Sequence, residues 1–131
     1  MPHPAGRAVL TLPAGVRLFV ALDRVDMRKG FNALAAIVQH QLHLDPLGGD
    51  IVLFVNKRGN LMKLVFFDRT GWAILYKRLE SGTFQLPTVQ TDAGHLRIDP
   101  GQLAMILEGI DLKTAVRRKR YRRPPRPNPD A

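Results

Sequence analysis

The chain of 131 residues contains no cysteine and a single serine, Ser81. Without thiols it can form neither a disulfide nor a thiolate metal site, which fits a reducing cytoplasm. No apolar run approaches the ~18 residues that mark a membrane span. The first residues, interrupted by Pro13 and Gly15, make a poor signal peptide. Nucleotide-binding glycine loops and the G-x-S-x-G nucleophile turn are missing. His40-x-x-His43 sets two imidazoles on one helical face, but no third ligand follows at motif spacing, so no metal and no cofactor are expected. The carboxylates are scattered and most have a cap, turn or ion-pair explanation. Because two-metal nucleases need acidic side chains converging on Mg²⁺, an enzyme is not expected. A small nuclease is the catalytic alternative.

What is present is a core and an uneven charge. A hydrophobic fraction of 45% in a chain of this length supports one domain. Residues 1–112 carry 12 Lys/Arg against 10 Asp/Glu, leaving +2, whereas residues 113–131 carry 8 against 1, leaving +7. Such asymmetry points to an acidic partner, nucleic acid first.

Three segments are expected: an irregular leader over 1–15, a single α+β domain over 16–112, and a basic tail over 113–131, disordered in isolation. The domain reads as an antiparallel β-meander with one main helix packed on the sheet and a second short helix. Val16–Ala21 has strand composition. Phe31, Leu34, Ala35, Val38 and Leu42 lie on one face of a helix over 27–43, with Asp26 as its N-cap. Ile51–Val55 is apolar on both faces, as in a central strand. Leu61–Phe67 and Trp72–Arg78 flank the tight turn Asp68–Gly71, and short connections force antiparallel neighbours. Phe84–Leu86 is a weaker strand candidate, and His95–Ile98 another. Asp99-Pro100-Gly101-Gln102 is a helix start with Asp as cap, Pro at N1 and Gln at N3.

Candidate contacts are all cationic. Arg28 and Lys29 would fall in the first helical turn, where the dipole disfavours cations, so an anion site is the sharper reading. Solvation, or pairing with Asp23, is the plainer one. Lys57 and Arg58 occupy one hairpin tip, Arg69 the opposite end, and Lys77 and Arg78 a strand end. These are solvated charges unless the fold brings them together as a patch. In the tail, Arg117, Arg118, Lys119, Arg120, Arg122 and Arg123 surround Tyr121, a composition suited to salt-sensitive, sequence-indifferent phosphate contact with base stacking. An acidic protein partner or a merely solubilising tail are the alternatives.

Taken in order, Asp26-Met27-Arg28-Lys29-Gly30-Phe31, the hairpin residues Lys63, Asp68 and Gly71, Lys77-Arg78-Leu79-Glu80-x-Gly82-x-Phe84, and Leu107-Glu108-Gly109-Ile110-Asp111 resemble one family. It is the small accessory protein (Orf2, often called TnpB, distinct from the RNA-guided nuclease of that name) of insertion-sequence-66-type elements. The likeness covers about residues 11–112. Leu86 and Leu112 stand where many members carry tryptophan, which leaves the fold intact but removes an aromatic contact. The resemblance implies a role in transposition beside a separate, larger transposase, with DNA or that transposase as partner and no membrane. It supplies a process, and leaves DNA contact and a purely protein-binding adaptor as competing mechanisms.

Overall fold

Apolar side chains that alternate in direction along a strand can feed two cores, one on each face of a sheet. The structure, a computed structural model, describes residues 15–89 and 91–109. The leader up to residue 14 and the whole tail, with its six candidate cations, lie outside the described residues. Five strands, β1 (Arg17–Ala21), β2 (Asp50–Val55), β3 (Leu61–Asp68), β4 (Gly71–Arg78) and β5 (His95–Ile98), form one sheet in the order β4-β3-β2-β1-β5.

The fold is α+β, as expected, and β2–β3–β4 is the meander. The sheet is nevertheless mixed, because β1 runs parallel to β2, with Leu18 beside Ile51. A tight hairpin permits only antiparallel pairing, whereas the helical crossover from β1 to β2 returns the chain to its starting end. β5 closes the other edge antiparallel to β1. β2 is buried along its whole length, as a doubly covered strand should be.

On one face Phe19, Val52, Phe54 and Val65 pack with Leu34 of α1 (Phe31–Ala36) and with Val38 in the turn that continues it. On the other, Leu18, Leu53, Met62 and Leu64 pack with Phe84 and with Leu103 and Ile106 of α2 (Pro100–Leu107). α2 begins with the expected capping box: Asp99 Oδ1 accepts from the Gln102 N–H at 2.7 Å, and Gln102 Oε1 accepts from the Asp99 N–H at 2.9 Å. Among the described residues no helix is long and apolar enough to cross a membrane.

Two expectations need correction. Residues 84–86 form no strand; Phe84 instead plugs the α2-side core, its N–H donating to the Gly59 carbonyl at 2.7 Å. The first helix also starts four residues later than Met27. Its N-cap is Gly30, without a side-chain cap, and after Ala36 it continues as a π-helical segment, Ile37–Gln41, closed by the Leu42 N–H to the Ile37 carbonyl at 2.9 Å. Arg28 and Lys29 therefore precede the helix, and the expected conflict with its dipole does not arise.

Candidate nucleic-acid interface

The reason for the late helix start is local. Asp26 is not an N-cap; its Oδ1 accepts from the Arg28 N–H at 2.8 Å, and its Oδ2 accepts from Arg28 Nε at 2.9 Å and Nη2 at 2.7 Å. The Lys29 N–H then closes a turn onto the Asp26 carbonyl at 3.1 Å. Side-chain bonds of this kind offer the backbone an alternative to helix. The Arg28 guanidinium, helped by the Arg28 N–H, holds the Asp26 carboxyl down at about 2. Arg28 keeps only part of its hydrogen-bonding capacity occupied, and its side chain is 92% exposed.

A residue from the opposite side of the chain fixes this turn. Lys63 on β3 is only 8% exposed, and its Nζ donates to the carbonyls of Met27 at 2.6 Å and Lys29 at 2.8 Å. The same ammonium lies 4.8 Å from the ring centroid of Tyr76, its cross-strand partner. Among the described residues Lys63 has no carboxylate partner. Carbonyl dipoles and a ring face compensate the buried charge, so net positive charge stays beneath the Asp26–Lys29 turn.

Strand directions put the carboxyl ends of β1, β2 and β4 at one end of the sheet. The loop after β1 and the β2–β3 hairpin are bonded there: Val25 N–H donates to the Val55 carbonyl at 3.1 Å, and Arg24 Nη1 to the Asn56 carbonyl at 3.2 Å. The hairpin tip is stiff. Asn56 Oδ1 accepts from the Leu61 N–H at 3.0 Å while Asn56 Nδ2 donates to Asn60 Oδ1 at 2.9 Å. Gly59 closes it at φ +77°, and a Cβ there would sit 3.2 Å from that of Thr83, so only glycine fits without strain. Lys57 and Arg58 thus ride on a rigid turn beside the Arg28 loop. Arg24, Arg28, Lys57, Asn56, Leu61 and Tyr76 line one open recess of about 550 Å³, together with Val25, Asp26 and Met27.

The remaining sequence candidates divide. Lys29 is exposed at the same end, next to Arg28. Lys77 points to the α2 side, where its Nζ donates to the Leu107 carbonyl at 2.9 Å, the favoured place for a cation at a helix C-terminus. Arg78 is exposed and pairs with Glu80 at 3.0 Å. Arg69 sits on the β3–β4 turn at the far end, at φ +43°. That end is held differently: Asp50, 1% exposed, accepts from Arg17 Nε at 2.7 Å and Nη2 at 2.8 Å, and from the Asp45 N–H at 2.7 Å. Among the described residues no group of three His, Asp or Glu side chains is placed to hold a metal ion.

Sequence reasoning missed Arg24 and Tyr76 as site residues. The available signal was topological, since ligands of sheets with parallel strands gather beyond the strands' carboxyl ends, but it required knowing that β1 and β2 are parallel. Comparison with known proteins places the chain in company. A family model described as IS66 Orf2 like protein matches residues 16–117. The Sinorhizobium fredii protein y4hO, itself uncharacterized, is 40% identical over 104 residues, covering 78% of this chain and 89% of its own length. A second uncharacterized protein of that organism, y4jC, is 38% identical over 110 residues, covering 84% of this chain and 92% of its own. No solved structure matches.

Proposed function

Because the chain belongs to the IS66 Orf2-like family, we propose that it is a non-catalytic accessory factor in the transposition of a bacterial insertion sequence, acting by direct contact with DNA or with the transposase–DNA complex. The observation that carries this reading is the recess that Arg24, Arg28 and Lys57 line together at one end of the sheet, with Lys29 and Arg58 exposed next to them in the chain. Cations held on stiff turns and left exposed lose little entropy on meeting phosphates, and each contact releases counterions. In this reading Arg28, Lys29, Lys57 and Arg58 contact the backbone of DNA directly. Lys77, turned to the Leu107 carbonyl, contributes field more than contact, whereas Arg78, exposed at the same end and paired with Glu80 on the surface as Arg28 is with Asp26, contacts phosphate as well. The tail cations from Arg117 to Arg123 add sequence-indifferent affinity.

An anisotropy titration of the full chain against duplex DNA from the ends of the element tests the proposal. Affinity falls steeply with salt, and the double substitution Lys57→Glu, Arg58→Glu lowers it at least about tenfold, since it reverses two phosphate-facing charges. Salt-insensitive binding, or binding indifferent to both substitutions, overturns it.

The mixed-charge run Lys77-Arg78-Leu79-Glu80, in which Lys77 donates to the Leu107 carbonyl and Arg78 pairs with Glu80, favours a second reading: an adaptor that binds the transposase without touching DNA. A transposase complex that survives nuclease treatment supports the adaptor, and one that dissolves supports bridging by DNA.

A further inference from the structure

We propose that the recess at the carboxyl ends of β1 and β2 binds one unpaired nucleotide, with its base stacked on Tyr76 and its phosphate held by Arg24, Arg28 and Lys57. The inference rests on the DNA-contact reading and narrows it to the unpaired state of the strand. Tyr76 lies on a strand, yet it is 52% exposed and forms part of the recess wall. Lys63 Nζ covers one face of its ring at 4.8 Å. The ring is thereby fixed from behind while half of the residue's surface stays open to a ligand.

Around that aromatic surface stand three cations and one carboxylate, Asp26. Three positive charges less one negative leave +2, enough to neutralise a phosphodiester and keep a surplus. Leu61 and Val25 supply apolar wall for the second face or the edge of a base. The volume of about 550 Å³ falls within the ~300–1,000 Å³ typical of small-ligand sites. In a duplex both faces of every base are covered by neighbours and only the edges show in the grooves. A ring inside a recess can therefore reach a base face only when the nucleotide is unstacked, as in a single strand, a bulge or an extruded base.

The test uses the full chain with a fluorescein-labelled dT oligonucleotide and a duplex of equal length, by anisotropy at one salt concentration. Tyr76→Ala is expected to weaken single-strand binding by about 5- to 100-fold, the equivalent of one base–aromatic stack, and to leave duplex binding within about twofold. Tyr76→Phe restores single-strand affinity, because a ring is what the base requires. Since Tyr76 is half exposed, far-ultraviolet circular dichroism should be unchanged in both variants. Equal loss on both oligonucleotides, no loss on either, or failure of Phe to rescue overturns the nucleotide site while leaving DNA contact standing. Absence of binding to any oligonucleotide overturns both readings.

Discussion

The two ends of the sheet each carry an arginine hydrogen-bonded through Nε and Nη2 to an aspartate, with nearly equal bond lengths, and they serve opposite purposes. At the end where β2 begins, Asp50 is buried, takes three hydrogen bonds and ties Arg17 and the Asp45 backbone to the strand. At the other end Asp26 and Arg28 pair on the surface, two residues apart, with the guanidinium almost wholly open. The same bond to a buried carboxylate holds the crossover to the sheet; to a surface carboxylate it orients an arginine without consuming it. Burial of the carboxylate, more than the pairing itself, distinguishes an arginine held for structure from one available to a ligand.

The comparison can be broken first at its buried end. Asp50→Ala leaves the Asp45 N–H without its acceptor and should cost about 2–3 kcal/mol in urea unfolding, below the full loss for a buried pair because Arg17 is half exposed. Its DNA affinity, measured where the protein is folded, should not change. Lys63→Met probes the connection between core and open end. Losing both carbonyl bonds should destabilise by about 1–3 kcal/mol, and the freed Asp26–Lys29 turn should lower DNA affinity although Lys63 is too deep to touch DNA. A variant that unfolds less readily than the parent, with affinity intact, would contradict the positioning role.

Smaller effects sharpen the contrast. Arg28→Ala should leave stability close to that of the parent, as surface substitutions usually do, while weakening DNA binding severalfold. The Asp26 carboxyl should titrate near 2 by carbon-detected magnetic resonance. Its folded pKa lies below the ordinary 3.8, so the unfolded chain binds the proton more readily and the pair's small stabilising effect holds above about pH 4. That effect is lost as pH falls through about 2, and Arg28→Ala should return the midpoint toward the ordinary value.

Much of this architecture was legible in the chain because it depends on neighbours in sequence. The doubly apolar run Ile51–Val55, the turn at Asp68–Gly71 and the Asp99–Gln102 capping box each carry their own instructions within a few residues. The start of α1 does not. Asp26 looks like a cap until Arg28 competes for its carboxylate, and the resulting turn is secured by Lys63, separated from Met27 by 36 positions. The parallel pairing of β1 with β2 and the approach of Arg24 to Asn56 are likewise long-range. The cation pairs could be read from the sequence as candidates; that three of them share an end, with Lys77 turned to the C-terminus of α2, follows only from strand direction.

Backbone amide shifts of the full chain, followed as duplex DNA from the element's ends is added, test the central claim most directly. The account predicts perturbations concentrated in residues 24–29 and 56–61, with residues 45–50 and 68–71 undisturbed. Perturbations centred on the Arg17–Asp50 end, or spread evenly over both ends, would contradict it.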